Sequence, residues 1–86
     1  MQVIVCGAGQ VGSSIAKQLV LEGNDVTVID SAPELIEKIN ESLEVTAFVG
    51  FASHPSILER AGARNADMII AVTHSDEVNM LSLIHI

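Results

Sequence analysis

Three glycines in the segment CGAGQVG, Gly7, Gly9 and Gly12, follow a short apolar run and precede a stretch with helical spacing. Glycine allows positive φ angles, and its missing Cβ lets another group approach the main chain. The first amides of a helix lack partners within the helix, and the helix dipole favours negative charge there. Glycines at this spacing between a strand and a helix predict a turn that binds the phosphates of a dinucleotide.

Each glycine of this turn is expected to meet a different need. Gly7 lets the chain turn sharply as it leaves the strand, and the missing Cβ of Gly9 leaves room for a pyrophosphate. Gly12 lets the following helix pack closely on the sheet. The alternative is half of a Rossmann-like domain that no longer binds its ligand, because glycine-rich turns also occur where nothing binds.

An acid at the end of the second apolar run, VTVID, adds to this pattern. Asp30 lies eighteen positions after Gly12. A carboxylate at the C-terminal end of the second strand accepts hydrogen bonds from the hydroxyls of an adenosine ribose, and its charge repels a 2′-phosphate. We therefore predict NAD(H), rather than NADP(H), as the ligand.

Apolar runs typical of buried parallel strands recur along the chain, at residues 2–6, 26–30, 45–49 and 67–72. Helical patterns separate these runs, and one more follows the last of them. The order β-α-β-α-β-α-β-α predicts an α/β fold, an incomplete Rossmann-like doubly wound parallel sheet of about four strands with right-handed crossovers.

Serine residues are expected to mark the beginnings of three helices. Ser31 and Glu34 form a capping-box pattern, Ser53 precedes the third helix, and Ser75 precedes a fourth. The apolar stripes expected to face the sheet comprise Val11, Ile15 and Leu19 in the first helix and Leu35, Ile36 and Ile39 in the second. These stripes predict how the helices pack on the sheet.

Composition excludes several classes of function. The 86 residues suffice for one small domain, and 49% of them are hydrophobic, which argues against disorder. A net charge of −7 with two aromatic residues disfavours nucleic acid and anionic membranes as partners. No apolar run is long enough to span a bilayer. The single cysteine cannot form an internal disulfide, so nothing in the sequence points to secretion, and we expect a cytoplasmic protein.

The remaining reactive side chains carry no strong signal. The single cysteine, Cys6, is expected to pack in the core rather than to act as a redox thiol. His54 and His74 lack a third metal ligand, so we expect loop or ligand-facing polar roles and no metal site. Arg60 and Arg64 are expected to be solvated, although each has the reach to contact a phosphate or a neighbouring subunit.

The last six residues, LSLIHI, match one reading frame of the common transposase-type sequencing adapter that begins CTGTCTCTTATACACATC. We therefore predict a partial domain over residues 1–80 and a non-native tail at 81–86 that replaces the natural continuation. The alternative is a native apolar helix end. Sequencing the source locus with untrimmed reads separates the two, because continuous native coding through residue 86 excludes an artefact.

Three segments together carry a family resemblance: VIVCGAGQVGSSIAKQL, GNDVTVID and VGFASHPSILERAGARNADMIIAVTHSDEVNM. They resemble the N-terminal half of the RCK nucleotide-binding domain, also called KTN or TrkA-N, over residues 1 to 80. The most specific parts are residues 50–62 and the segment AVTHSDEVNM, because dehydrogenases share the glycine turn but seldom these.

The resemblance implies a non-catalytic regulator that binds NAD(H) and, in some members, ATP or ADP. It further implies dimers or rings at the inner face of the membrane, with a potassium-transporting membrane subunit as partner. The implied contacts are Gly7, Gly9, Gln10 and Val11 for phosphate, Asp30 for ribose, Gly50, Phe51, Ala52 and Ser53 beside the adenosine, and Thr73, His74, Ser75 and Asp76 across the cleft. Phe51 stands where the family usually has a small polar or acidic residue.

Two other classes of function are compatible with the glycine turn. One is the N-terminal piece of an NAD-dependent dehydrogenase, whose catalytic groups usually come from later segments. The other is a structural dimerisation module with an empty cleft. The segment AVTHSDEVNM favours the regulator over both.

Overall fold

The computed structural model describes residues 1–51, 55–60, 62–72 and 81–85. Its strands are β1 (Gln2–Cys6), β2 (Asp25–Asp30), β3 (Thr46–Val49), β4 (Met68–Val72) and β5 (Leu81–His85). Its helices are α1 (Gln10–Leu21), α2 (Pro33–Ser42) and α3 (Pro55–Arg60), and a single 3-10 turn covers Ala63–Asn65. Strand and helix therefore alternate through β4, as the apolar runs predict.

One sheet contains all five strands in the order β3-β2-β1-β4-β5. The pairs β1 with β2, β1 with β4, and β2 with β3 are parallel, and the register places Ile4 between Thr27 and Ile69. The crossover from β3 to β4 moves to the other side of β1. This arrangement confirms the predicted Rossmann-like α/β fold with four parallel strands.

The fifth strand was not predicted from the sequence. Leu81–His85 pairs antiparallel with β4, so that Ile70 lies opposite Leu83. A short apolar run reads equally well as a strand or as part of a helix, and the unpaired amides and carbonyls of an edge strand accept a neighbour of either direction. The helix predicted to begin at Ser75 lies outside the described residues.

Helices cover both faces of the sheet, which is what a doubly wound sheet requires. On one face, α1 and α2 pack over a cluster that includes Val3, Val5, Ala16, Val28, Ile36 and Ile39. On the other face, side chains from α3 and the following turn cover Ile4 and Ile29. The predicted stripe of α1 needs one correction, because Val11 is 40% exposed while Ile15 and Leu19 pack against the core.

The start of α2 differs from the predicted capping box. The helix begins at Pro33 with Ala32 as its N-cap, and no side chain caps it. The Ala32 amide donates instead to the carboxylate of Asp30. Because proline has no N–H and fits the first helical position, the helix begins there without help from Ser31. The predicted cap at Ser53 lies outside the described residues.

Within the part of the chain that the structure describes, no helix has the length and apolar character needed to cross a membrane.

Candidate functional site

The glycine turn is tied to the neighbouring strands from its first residue. Gly7 has a φ of +124°, and its amide donates to the Ile29 carbonyl at 2.7 Å. A Cβ on Gly7 would lie 2.8 Å from the carbonyl oxygen of Val72, at the end of β4. Both observations require glycine, so the predicted sharp turn at this position is present.

Gly12 is buried in the first turn of α1, and its nearest neighbour is the backbone of Gly7. A Cβ at Gly12 would lie 1.9 Å from the carbonyl oxygen of Gly7. The sequence predicted close packing of the helix on the sheet. In the structure the closest neighbour is the main chain that leaves β1, so the helix begins directly against the turn.

Gly9 differs from the other two glycines of the turn. It is the N-cap of α1 with φ −72° and ψ −166°, an extended conformation that any residue adopts. No side chain caps the helix at this end, and its first turn contains no acid. The amides of Gln10 and Val11 therefore retain the anion-binding character of a helix start, and both side chains are exposed beside them.

Asp30 lies directly across from this turn. One carboxylate oxygen, Oδ2, accepts a hydrogen bond from the Ala8 amide at 2.7 Å. The other, Oδ1, accepts one from the Ala32 amide at 2.8 Å. The structure thus brings the predicted ribose-binding acid and the predicted phosphate-binding turn together at the carboxyl ends of β1 and β2.

The contact between Asp30 and Ala8 was missed by sequence reasoning. Aspartates in turns often accept a hydrogen bond from the amide two residues later, so the contact with Ala32 could be predicted from the sequence. The Ala8 contact joins residues 22 positions apart, and only the register of β1 against β2 brings them together.

The end of β3 completes the described edge of the site. The Gly50 amide donates to the main-chain carbonyl of Asp30 at 2.9 Å, and Phe51 is 60% exposed next to it. A Cβ on Gly50 would lie 2.9 Å from the side chain of Ile57 in α3. The other predicted contacts lie outside the described residues; they are Ala52, Ser53, Thr73, His74, Ser75 and Asp76.

Two of the cavities between described residues lie at opposite ends of the sheet. A cavity of 520 Å³ lies at the N-terminal ends of the strands, beside Gln2, Asp25 and Thr46. A cavity of 420 Å³ between α1 and α2 adjoins Ala8 and Gly9. Ligands of open α/β sheets bind at the carboxyl ends of the strands. We therefore place the candidate site at the smaller cavity's end, with the glycine turn.

Cys6 packs at the end of β1 as predicted for a core residue. It is half-buried and lies against Ile4 and Ile29. Burial raises the pKa of the Cys6 thiol above its ordinary value of 9.0. A raised pKa leaves less thiolate at neutral pH, which argues against a redox role.

The raised pKa of Cys6 predicts a specific loss of stability at high pH. The unfolded chain releases the thiol proton at lower pH than the folded chain, so the free energy of unfolding falls as the pH rises above 9.0. Below that pH the contribution is constant. Urea unfolding measures the free energy of unfolding at about pH 7 and at about pH 10. Between these two pH values, that free energy should fall less for Cys6→Ala than for the unchanged chain. Equal falls would contradict this assignment.

Arg60 and Arg64 contact different side chains and do not form one site. The guanidinium of Arg60 lies 5.6 Å from the centre of the Phe48 ring, and Arg64 pairs with Glu59 at 3.5 Å on the surface. An exposed pair of this kind contributes little stability. Among the described residues, no group of three acids, histidines or cysteines is placed to hold a metal ion.

Comparison with known proteins identifies relatives over most of the chain. The sequence model of one family, described as the TrkA-N domain, matches residues 3–86. A Trk system potassium uptake protein TrkA from Azorhizobium caulinodans is 51% identical over 82 residues, and one from Vibrio alginolyticus is 44% identical over 80. The chain spans 18% of the length of each of these two relatives, while the alignments cover 95% and 93% of the chain.

Solved structures with the same fold include a Kef C-terminal domain. The Kef C-terminal domain of Shewanella denitrificans in its AMP-bound form superposes with a TM-score of 0.68 and is 28% identical in sequence. The match covers 88% of this chain and 43% of that one.

Proposed function

The chain belongs to the TrkA-N domain family, and on that premise we propose that it is the N-terminal part of a regulatory subunit for potassium uptake that binds NAD(H). The protein acts in the cytoplasm, at the inner face of the membrane, where it joins a potassium-transporting membrane subunit. It forms a dimer or ring with further copies of the complete subunit. It carries out no catalysis.

The observation that supports ligand binding is the placement of Asp30 beside an uncapped helix start. The diphosphate binds the amides of Gln10 and Val11, and the ribose hydroxyls donate to the Asp30 carboxylate, which already lies 2.7 Å from the Ala8 amide. The φ of −72° at Gly9 does not itself require glycine, which supports the proposal that its missing Cβ serves the approach of the diphosphate.

Regulation follows from differential binding to two arrangements of the cleft. Nucleotide contacts elements at the ends of β1, β2 and β3, so it favours whichever arrangement brings these ends together. A complete subunit passes this preference to the attached pore as a coupling free energy. The Trk names of the relatives support this role.

Calorimetry with NADH and NADPH tests the ligand. We expect NADH to bind at least about tenfold more tightly, because a 2′-phosphate would approach the Asp30 carboxylate. Asp30→Ala should remove this preference, and Asp25→Asn serves as its matched control, since Asp25 is an exposed acid at the other end of the same strand. Equal affinity of the unchanged chain for the two nucleotides would exclude the ribose contact. Binding of neither would exclude the dinucleotide site.

A second candidate ligand is an adenine nucleotide such as AMP, ADP or ATP. The structural relative from Shewanella was solved with AMP. AMP has the ribose and one phosphate of NADH but lacks the nicotinamide half. Titration of AMP in competition with NADH separates the candidates, because tighter binding of AMP would assign the site to adenine nucleotides.

A further inference from the structure

The Asp30 carboxylate bonds to the turn itself, and we propose that Asp30 is a positioning residue for the phosphate-binding turn as well as a ribose ligand. This inference rests on the proposed function for its ligand but not for its geometry. The Ala8 amide donates to Oδ2 at 2.7 Å, and Ala8 is only 3% exposed. The bond is therefore partly shielded from water, where a charged acceptor is worth more than at the surface.

Ala8 is held from both sides. Its amide donates to Asp30, and its carbonyl accepts a hydrogen bond from the Ser13 hydroxyl at 2.9 Å. Peptide units are planar, so the first bond orients the unit between Gly7 and Ala8, and the second orients the unit between Ala8 and Gly9. The two bonds together set the direction in which the Gly9 amide points.

The hydrogen bond from Ala8 to Asp30 also orients the turn toward its close contact with α1. In a trans peptide the N–H and C=O point in opposite directions. The Ala8 N–H points to Asp30, and the Gly7 carbonyl of the same unit points toward Gly12, where a Cβ would lie 1.9 Å away. Loss of the Asp30 bond would free this peptide unit to rotate and would disturb the amides beside it.

A positioning role and a ribose role predict opposite signs for a ligand without ribose. If Asp30 served ribose alone, removing its negative charge would strengthen the binding of an inorganic anion nearby. If Asp30 holds the turn, removing it weakens the same anion because the amides lose their alignment. Inorganic pyrophosphate, which has no ribose, distinguishes the two roles.

Amide hydrogen exchange tests the contact without any ligand. We expect the Ala8 amide to exchange at least about tenfold faster in Asp30→Ala, measured relative to the Val5 amide so that global unfolding is separated from local opening. Asp30→Asn keeps one acceptor oxygen and covers the case in which the alanine variant does not fold. Asp25→Asn should leave the ratio unchanged. An unchanged Ala8 ratio in both Asp30 variants would overturn the proposal.

Pyrophosphate binding then tests the consequence for the site. Asp30→Ala removes the acceptor of the Ala8 amide, and we expect its affinity for pyrophosphate to be about tenfold lower than that of the unchanged chain. Higher affinity would overturn the positioning role and leave a ribose role alone. Failure of the proposed function has a different signature, since an unchanged chain that binds no NADH would still show the Ala8 exchange effect.

Discussion

Replacing Gly12 by alanine is expected to lower the free energy of unfolding by about 3 kcal/mol or more, a large fraction of the total stability of a domain of this size. The added Cβ would lie 1.9 Å from the Gly7 carbonyl oxygen, a main-chain atom that cannot move aside without breaking the turn. At an exposed helical position the same change stabilises by roughly 0.5–1 kcal/mol. The sign of the effect is therefore the test. Urea unfolding followed by circular dichroism measures it.

Ser14→Ala is the matched control for this change. Ser14 lies on the exposed side of α1, and its hydroxyl bonds only to the Gln10 carbonyl one turn back. Its substitution should change the free energy of unfolding by less than about 0.5 kcal/mol. A Gly12→Ala chain that is as stable as the unchanged one would mean that α1 does not begin against the Gly7 carbonyl.

Replacing Gly9 by valine is expected to abolish nucleotide binding while the fold persists. The φ of −72° and ψ of −166° suit a β-branched residue, so the backbone needs no change. The side chain would occupy the space in which the pyrophosphate approaches the amides of α1. We expect at least about a hundredfold loss of NADH affinity by calorimetry, or about 2.7 kcal/mol.

Two further variants show whether the loss comes from steric block. Gly9→Ala adds only a Cβ and should weaken NADH less than valine does. Gly62→Ala adds a Cβ with no atom within 4 Å, at a φ of +90°, so it should cost some stability but no affinity. A Gly9→Val chain that still binds NADH would show that the phosphates lie elsewhere.

The contrast between the two glycines illustrates how far sequence reasoning reached. Both belong to one motif, and the motif correctly predicted a turn between β1 and α1. It could not show that Gly12 meets a carbonyl of the same turn, whereas Gly9 has a conformation open to any residue. That difference depends on the path of the backbone in three dimensions, and it decides which substitution affects folding and which affects binding.

The predicted boundaries were most accurate for the strands that consist of continuous apolar runs. The four parallel strands, β1 to β4, agree with the predicted runs to within one residue at each end, because buried parallel strands are continuous apolar segments. The predicted capping box at the start of α2 was wrong. The Asp30 carboxylate accepts a hydrogen bond from the Ala32 amide, and the helix begins at Pro33 without a side-chain cap. The antiparallel strand β5 was missed because short apolar runs do not distinguish strand from helix.

The amino-acid sequence alone predicts the alternation of strands and helices, the position of the glycine turn and the acid at the end of β2. These depend on the order and periodicity of residues close together in the chain. The 2.7 Å contact between the Asp30 carboxylate and the Ala8 amide becomes evident only in the folded chain. That contact arises from the register of two parallel strands separated by a helix, and long-range register has no local signature in the sequence.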